Sequence, residues 1–280
     1  MFGGERLKNV NLAGMNLHYL NYSLEYFLDS MVKYEMPNIE LWGGFPHLYS
    51  EDISLSDAAR IRKEIESRCL NLVCYTPEQL MYVNNIAAKE PEIQKRSMDY
   101  YLKNIEITAE LGTNLMLMTS GWGYYHEPIV EAWSRSREAL AILAHKAEKS
   151  GVTLLLEPLQ PFESNLITNV QTLKRMLQEI NMDSLKGMMD IVAMAVAGDT
   201  VKDYFEALGA GLLHIHVIDG TPSGHLAVGD GNLPIDQYLK EIDDFQYHGY
   251  LSMELAASNY YPEPDKAFLR SLENIRKMLY

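Results

Sequence analysis

Residues 153–159 read Thr-Leu-Leu-Leu-Glu-Pro-Leu, an apolar run that is interrupted by a single acidic residue, Glu157. A short, continuous apolar run predicts a strand that is buried on both faces, which is typical of a parallel sheet covered by helices. An acidic side chain near the end of such a strand departs from that pattern. A repeat of this combination, a buried apolar strand with a polar residue near its end, would predict both the fold and the site.

The rest of the chain repeats the organisation, because short runs rich in Val, Ile, Leu and Met alternate with longer amphipathic segments. We predict eight strands, at residues 11–18, 38–42, 71–76, 114–120, 153–159, 186–192, 212–219 and 250–255. We predict eight helices, at residues 23–33, 55–68, 92–111, 128–150, 169–180, 200–208, 235–245 and 265–279. Eight βα units without a Pro-, Gly- or Ser-rich linker predict an α/β protein with one closed (β/α)8 TIM barrel over residues 1–280.

The amino-acid composition and net charge disfavour some classes of binding partner. Of the 280 residues, 47% are hydrophobic and 22% are charged, which is typical of a globular chain with a large core. The formal net charge of −14 disfavours nucleic acids and anionic membranes, whose binding requires a surplus of Lys and Arg. The two cysteines, Cys69 and Cys74, form no CxxC motif and favour a reducing cytoplasm. We expect a cytoplasmic protein with neither a signal peptide nor a membrane segment.

Four successive predicted strands carry an acidic residue or a histidine near their C-terminal ends: Glu157, Asp190, His216 and Glu254. The active sites of barrels lie at these ends, so the four side chains are expected to converge. Three carboxylates in one small site need a compensating cation, and three oxygen ligands with one imidazole suit Mn²⁺, Co²⁺ or Mg²⁺. His214 lies on the same strand face as His216 but further from the strand end, and we interpret it as a core or supporting histidine.

The motifs LLLEPLQPFES, GMMDIVA, HIHVID, HLAVGDGNLP and LSMEL follow one another in this order along the chain. In order and spacing they resemble the sugar phosphate isomerase/epimerase superfamily of xylose-isomerase-like barrels, which includes D-tagatose 3-epimerase and related ketose 3-epimerases. The resemblance covers nearly the whole chain. The segments IELWGGFPH, CYTPE and YPEPDKA are most similar to the fructoselysine 3-epimerase branch of that superfamily.

The resemblance implies one divalent metal ion, with Mn²⁺ as the expected metal and Co²⁺, Mg²⁺ or Ni²⁺ as alternatives. Its implied ligands are Glu157, Asp190, His216 and Glu254. The resemblance also makes Glu157 and Glu254 the catalytic acid/base pair. Glu163 matches a position that contacts the first carbons of the sugar, and His225 falls in a loop that borders the site. A homo-oligomer, either a dimer or a tetramer, is implied as well.

Two positions depart from the ketose 3-epimerases that act on free sugars. Ala193 stands where those enzymes have a His, and Pro222 stands where they have an Arg. The fructoselysine branch, with its motif DICAP, also has Ala at the first position. These departures disfavour a plain free ketohexose and favour a sugar-amine such as fructoselysine or psicoselysine. Trp42, Tyr75 and Trp122 lie at or after strand ends, and we expect them to wall the sugar pocket.

The predicted function is therefore a metal-dependent ketose 3-epimerase that transfers the C3 proton through a cis-enediolate. A Lewis-acid metal stabilises the developing oxyanion, while two carboxylates serve as base and acid. Three alternatives stay open: an aldose–ketose isomerase with the same metal site, an endonuclease of the abasic-site class, and a non-catalytic sugar-binding barrel. The charge of −14 disfavours the endonuclease, and the paired acids Glu157 and Glu254 disfavour a pure binder.

Overall fold

The computed structural model describes residues 10–79 and 83–279. Eight parallel strands pair in chain order, and the last pairs with the first, so that the sheet closes into a barrel. The strands are β1 (Asn11–Met15), β2 (Asn38–Gly43), β3 (Asn71–Pro77), β4 (Leu115–Met118), β5 (Thr153–Leu156), β6 (Leu185–Asp190), β7 (Leu212–His216) and β8 (Tyr250–Met253). The predicted (β/α)8 TIM barrel is confirmed.

The described residues contain nine α-helices, one more than predicted. They are α1 (Leu24–Lys33), α2 (Leu55–Ser67), α3 (Pro91–Leu111), α4 (Ile129–Lys149), α5 (Val170–Ile180), α6 (Ile191–Ala197), α7 (Val201–Leu208), α8 (Ile235–Asp244) and α9 (Pro264–Leu279). The additional helix is α6. The sequence predicts a strand over 186–192, whereas β6 ends at Asp190 and α6 begins at the next residue. The Asp190 carboxylate caps α6 by accepting a hydrogen bond of 2.6 Å from the Ala193 N–H.

Several other strands end earlier than predicted. Strands one, four, five, seven and eight stop two or three residues before the predicted C-terminal ends. Several residues beyond the ladder, such as Val217, Ile218 and Leu255, are apolar and fully buried although they lie outside the strands. Apolar character alone therefore does not mark the last strand residue, and the loops that carry the polar side chains begin directly at the strand ends.

Local sequence accounts for the helix ends. Gly112 ends α3 in the left-handed conformation with φ of 87°, which glycine adopts without steric cost. Pro91 occupies the first turn of α3, where its missing N–H leaves no hydrogen bond unmade. Ser54 and Asp57 form a capping box at the start of α2. None of the helices in the part of the chain described is both long and apolar enough to span a bilayer.

The core has two parts. The larger lies between the strands and the surrounding helices and includes most of the buried aromatic and aliphatic residues. The smaller cluster consists of Ala13, Val73, Cys74, Leu117, Leu155 and Met188. The fully buried polar residues Glu40, His214 and His216 extend from strands of the same barrel. Buried polar groups of this kind must find partners, so their contacts define the site described below.

The first and last helices are joined by one carboxylate. Asp265, in the first turn of α9, accepts hydrogen bonds of 2.9 Å from Tyr19 Oη and 2.7 Å from Tyr34 Oη. A third hydroxyl, that of Tyr26, lies at 3.4 Å, and Lys33 Nζ lies at 3.6 Å. Because Tyr26 and Lys33 lie on α1, these contacts connect α1 to α9, the helix that follows β8, where β8 pairs with β1 and the barrel closes.

We expect Asp265→Ala to lower the free energy of unfolding by about 2 kcal/mol, because it leaves the hydroxyls of the buried Tyr19 and the half-buried Tyr34 without their charged acceptor. Urea unfolding followed by circular dichroism measures the change. Asp244→Ala is the control, since it removes an exposed carboxylate from an i,i+4 pair with Lys240 at the end of α8. Equal effects of the two substitutions would show that Asp265 has no special role in closing the barrel.

Candidate active site

Four polar side chains from consecutive strands meet at one end of the barrel. Asp190 and His216 are the last residues of β6 and β7, and they are partners in the strand register. Glu157 and Glu254 directly follow β5 and β8. One ligand atom from each of these residues lies within 4.8 Å of the others. The convergence predicted from the sequence is therefore present in the structure.

The distances are centred on the imidazole of His216. Its Nδ1 lies 2.9 Å from Glu254 Oε2, 3.4 Å from Glu157 Oε1 and 3.9 Å from Asp190 Oδ2. Both His216 Nδ1 and Asp190 Oδ2 are buried and make no hydrogen bond to a described residue. Leaving such atoms unpaired is costly, and three carboxylates with one imidazole are a donor set that suits a divalent cation. These four residues form a candidate metal-binding cluster.

Burial and the neighbouring charges shift the pKa values of the cluster residues in different directions. Burial raises the pKa of Glu157 above its usual value, and the nearby charge of Glu254 adds to this effect. Burial opposes ionisation of Glu254 as well, but the positive charge of His216 outweighs it and lowers the pKa of Glu254. For His216, burial lowers the pKa, yet Glu254 and Glu40 raise it well above the usual value. A bound cation takes the place of such a proton, since a metal-binding imidazole nitrogen must be deprotonated.

Glu40, in β2, is the residue of the site that the sequence reasoning missed. Its carboxylate is fully buried and lies 3.1 Å from His216 Nε2 and 2.7 Å from His214 Nε2. Thr76 Oγ1 donates a further hydrogen bond to Glu40. An acceptor at Nε2 favours the tautomer with its proton on that nitrogen, which directs the Nδ1 lone pair into the cluster. The sequence feature that could have identified Glu40 is a single acid in the apolar run Ile-Glu-Leu-Trp, and the same kind of feature identified Glu157.

The loop after β7 is held in shape by Asp219, and it carries His225 into the site. The Asp219 carboxylate accepts backbone hydrogen bonds of 2.8 to 3.1 Å from Gly220, Gly229, Gly231 and Leu233. Asp219 and Leu226 also form an antiparallel bridge. His225 Nε2 consequently lies 3.3 Å from Glu254 Oε2 and 3.8 Å from Asp190 Oδ2. Burial lowers the pKa of His225, but the contact with Glu254 outweighs it and raises the pKa to about 9.

Glu163 is fixed by the turn that follows β5. Its Oε2 accepts a hydrogen bond of 2.9 Å from the Gln160 N–H, and its own N–H donates to the Gln160 carbonyl at 2.9 Å. Ser223 Oγ donates to Gln160 Oε1 at 2.7 Å, so the loops after β5 and β7 are bound to each other. Burial raises the pKa of Glu163.

A small cleft opens beside the cluster. Its lining residues are Glu157, Pro158, Leu159, Gln160, Glu163, Asp190, Ala193, His225 and Glu254. The structure therefore brings Glu163 and His225, two of the five predicted substrate contacts, into the same cleft as three of the four predicted metal ligands, Glu157, Asp190 and Glu254.

The three aromatic residues predicted to wall the pocket lie elsewhere. Tyr75 is fully buried and donates a hydrogen bond of 2.8 Å to Asn104 Oδ1 of α3, so the structure places it against a helix and outside the lining of the cleft. Strand alternation is the reason, because the neighbouring Thr76 points inward to Glu40 and Tyr75 therefore faces the helices. Trp42 and Trp122 do not line the cleft, and Trp42 Nε1 donates to Glu78 Oε2 at 2.9 Å.

Comparison with known proteins shows the family to which the chain belongs. The chain belongs to the xylose isomerase-like TIM barrel family, whose model matches residues 29–278. Fructoselysine 3-epimerase of Shigella flexneri is 31% identical over 243 residues, which cover 86% of this chain and 88% of that protein. The resemblance predicted from the motifs is confirmed, and with it the expectation of an enzyme of the isomerase class.

Two solved structures illustrate the shared fold. L-ribulose 3-epimerase superposes with a TM-score of 0.81 at 20% sequence identity, covering 96% of this chain and 94% of that one. The 3-keto-D-glucoside 4-epimerase of E. coli superposes with a TM-score of 0.80 at 16% identity, covering 96% of this chain and 99% of that one. Similarity at these identities shows that the barrel is common to all three proteins.

We expect Glu40→Gln to weaken Mn²⁺ binding by about tenfold or more, because the uncharged amide no longer favours the His216 tautomer that presents Nδ1 to the cluster. Isothermal titration calorimetry with MnCl₂ measures the affinity. Asp199→Asn is the control, since it neutralises a partly buried carboxylate that caps α5 at Val170 and does not contact His216. An unchanged Mn²⁺ affinity in Glu40→Gln contradicts the orienting role.

Proposed function

We propose that the protein is a metal-dependent ketose 3-epimerase that removes and returns the C3 proton of its substrate through a cis-enediolate. The observation that carries the proposal is the cluster of Glu157, Asp190, His216 and Glu254, whose ligand atoms lie within 4.8 Å of one another. The 31% identity to fructoselysine 3-epimerase over most of both chains supports the same reaction class. In this proposal, residues 1–280 form one barrel domain with its active site at the C-terminal ends of the strands.

The proposed acid/base pair is Glu157 and Glu254. Their strands are separated in the barrel by β6 and β7, so the two carboxylates reach the shared space from different sides. One carboxylate removes the C3 proton and the other returns a proton to the opposite face of the planar intermediate. The opposite shifts in their pKa values are the asymmetry that such a pair needs. A divalent cation, when bound, supplies Lewis-acid stabilisation of the charge that develops on the ketone oxygen.

The finer assignments extend this proposal. The donor set of three carboxylates and one imidazole favours Mn²⁺, with Co²⁺, Mg²⁺ and Ni²⁺ as alternatives. We propose fructoselysine, psicoselysine or a related ketose derivative as the substrate, because the similar protein of Shigella flexneri is a fructoselysine 3-epimerase. A homo-oligomer in the cytoplasm completes the proposal, while the net charge of −14 disfavours a nucleic-acid partner.

Proton exchange in D₂O tests the reaction. The Mn²⁺-loaded protein is incubated with a panel of ketoses that includes fructosamine-type amino acid conjugates, and products are followed by NMR. We expect a C3 epimer, deuterium at C3 of recovered substrate, and loss of both signals after EDTA treatment. Product formation with an unexchanged C3 proton excludes the cis-enediolate. An aldose product labelled at C1 or C2 identifies an aldose–ketose isomerase instead.

We expect Glu254→Gln to lower the turnover number at least ~10²-fold, because the amide can neither accept nor donate the transferred proton. Steady-state kinetics at saturating Mn²⁺ measure the loss, and circular dichroism verifies the fold. Glu92→Gln, which neutralises an exposed acid in the first turn of α3, is the matched control. Turnover within a few-fold of the wild type in Glu254→Gln removes this residue from the proposed pair.

A further inference from the structure

The barrel interior holds polar side chains one level below two of the candidate metal ligands. His214 precedes His216 by two residues on β7, and Ser252 precedes Glu254 by two residues on the last strand and its end. Residues that are two apart on a strand share a face. His214 and Ser252 therefore lie one level deeper in the barrel than the cluster, and both are fully buried.

The same level is apolar on the strands that carry the other two ligands. Leu155 precedes Glu157 on β5 and Met188 precedes Asp190 on β6, and both belong to the smaller core cluster. Apolar side chains of this kind normally fill the interior of a barrel. Burying polar groups instead is costly unless each finds a partner, so the partners of the polar residues on β7 and β8 indicate what these residues do.

The partner of His214 is Glu40, which reaches it from β2. Strands β2 and β7 are not neighbours in the sheet, since β8 and β1 separate them. His214 Nε2 lies 2.7 Å from Glu40 Oε2, and Ser252 Oγ lies 3.1 Å from the same nitrogen. The other ring nitrogen, Nδ1, is buried and makes no hydrogen bond to a described residue. The polar contacts of this imidazole with the described residues are therefore all made through Nε2.

The two carboxylate oxygens of Glu40 are bound to different groups. Oε1 faces His216 Nε2 at 3.1 Å and accepts a hydrogen bond from Thr76 Oγ1. In the part of the chain that the structure describes, His214 is the one hydrogen-bond partner of Oε2. A carboxylate held through both oxygens has little freedom to turn about its Cγ–Cδ bond, so Oε1 stays directed at His216. Without His214 a buried oxygen is left unsatisfied, and both oxygens compete for the remaining donors.

We propose that His214 is a positioning residue of the metal site, which acts through Glu40 to orient His216 and contacts neither the cation nor the substrate. The lining of the cleft includes neither His214 nor Glu40, in agreement with an indirect role. This inference rests on the metal site of the proposed function and adds a residue that determines how tightly the cation is held. Supporting hydrogen bonds of this kind change metal affinity by roughly 10- to 100-fold.

A double-mutant cycle on Mn²⁺ affinity tests the assignment. Isothermal titration calorimetry with MnCl₂ gives the Kd for the wild type, His214→Leu, Glu40→Gln and the variant with both substitutions. We expect His214→Leu to weaken binding about tenfold, because it removes the donor to Glu40 Oε2. In the Glu40→Gln background the same substitution should change the Kd less than about twofold, since a residue that acts through the Glu40 carboxylate then has no further effect.

Two further variants separate orientation from general stability. His214→Gln keeps an N–H donor at the reach of Glu40, so it should restore most of the affinity that His214→Leu loses. Leu117→Ala opens a cavity in the smaller core cluster on β4, a strand without a candidate metal ligand. It should lower the thermal midpoint and change the Kd less than about twofold. Circular dichroism verifies the fold of each variant.

An unchanged Kd in His214→Leu, or an equal loss of affinity with and without the Glu40 carboxylate, overturns the assignment. A loss that Leu117→Ala matches and His214→Gln does not restore is a structural defect and overturns it as well. His214→Asn replaces His214→Leu in the cycle should the latter not fold, because the shorter amide stays polar but withdraws the donor. A wild type that binds Mn²⁺ and exchanges no C3 proton refutes the epimerase alone, whereas one that binds no Mn²⁺ refutes the metal site and this assignment together.

Discussion

The imidazole of His216 lies between carboxylates on both of its sides, and the arrangement of the site depends on this position. Glu40 faces Nε2, while Glu157, Asp190 and Glu254 surround Nδ1. So many buried acids repel one another unless positive charge lies between them. The closed barrel supplies the rigid frame that keeps the groups together despite that repulsion. Each of these side chains is attached to a different strand or strand end, and the strands are fixed to their neighbours by ladder hydrogen bonds.

The candidate metal ligands and the loop residues Glu163 and His225 are held in place differently. Substitutions near the two groups therefore have different effects. The candidate metal ligands lie on or directly after strands, where the backbone has little freedom. Glu163 and His225 lie in loops, and their positions depend on local polar contacts such as the Asp219 carboxylate and the Gln160–Ser223 hydrogen bond. A substitution in these loops alters which molecule fits without moving the strand ends. Loops positioned by a rigid scaffold are where specificity usually resides.

The sequence predicted the fold because hydrophobic runs and amphipathic segments alternate without interruption, and this signal does not depend on any single residue. It predicted the convergence of Glu157, Asp190, His216 and Glu254 because each is a polar residue at the end of a buried strand. The same reasoning overlooked Glu40, which lies in the middle of its strand, where a buried acid is expected only if another strand supplies partners. Those partners, His214 and His216, are 174 and 176 residues away in the chain. Contacts of this range follow from strand register, which a pattern of residue types does not specify.

Tyr75 illustrates the same limit in the opposite direction. Its type and its place on β3 suited a sugar pocket, but its neighbour Thr76 contacts the buried Glu40, so strand alternation turns Tyr75 to the opposite face, toward the helices. A shift by one residue exchanges the inward and outward sets of side chains. Fold class is insensitive to such a shift, whereas the composition of a site is fully determined by it. Relatives that share the barrel at 16% to 20% identity can therefore carry names that refer to different sugars and different carbons, since the fold constrains where a site forms and the register and loops decide what it binds.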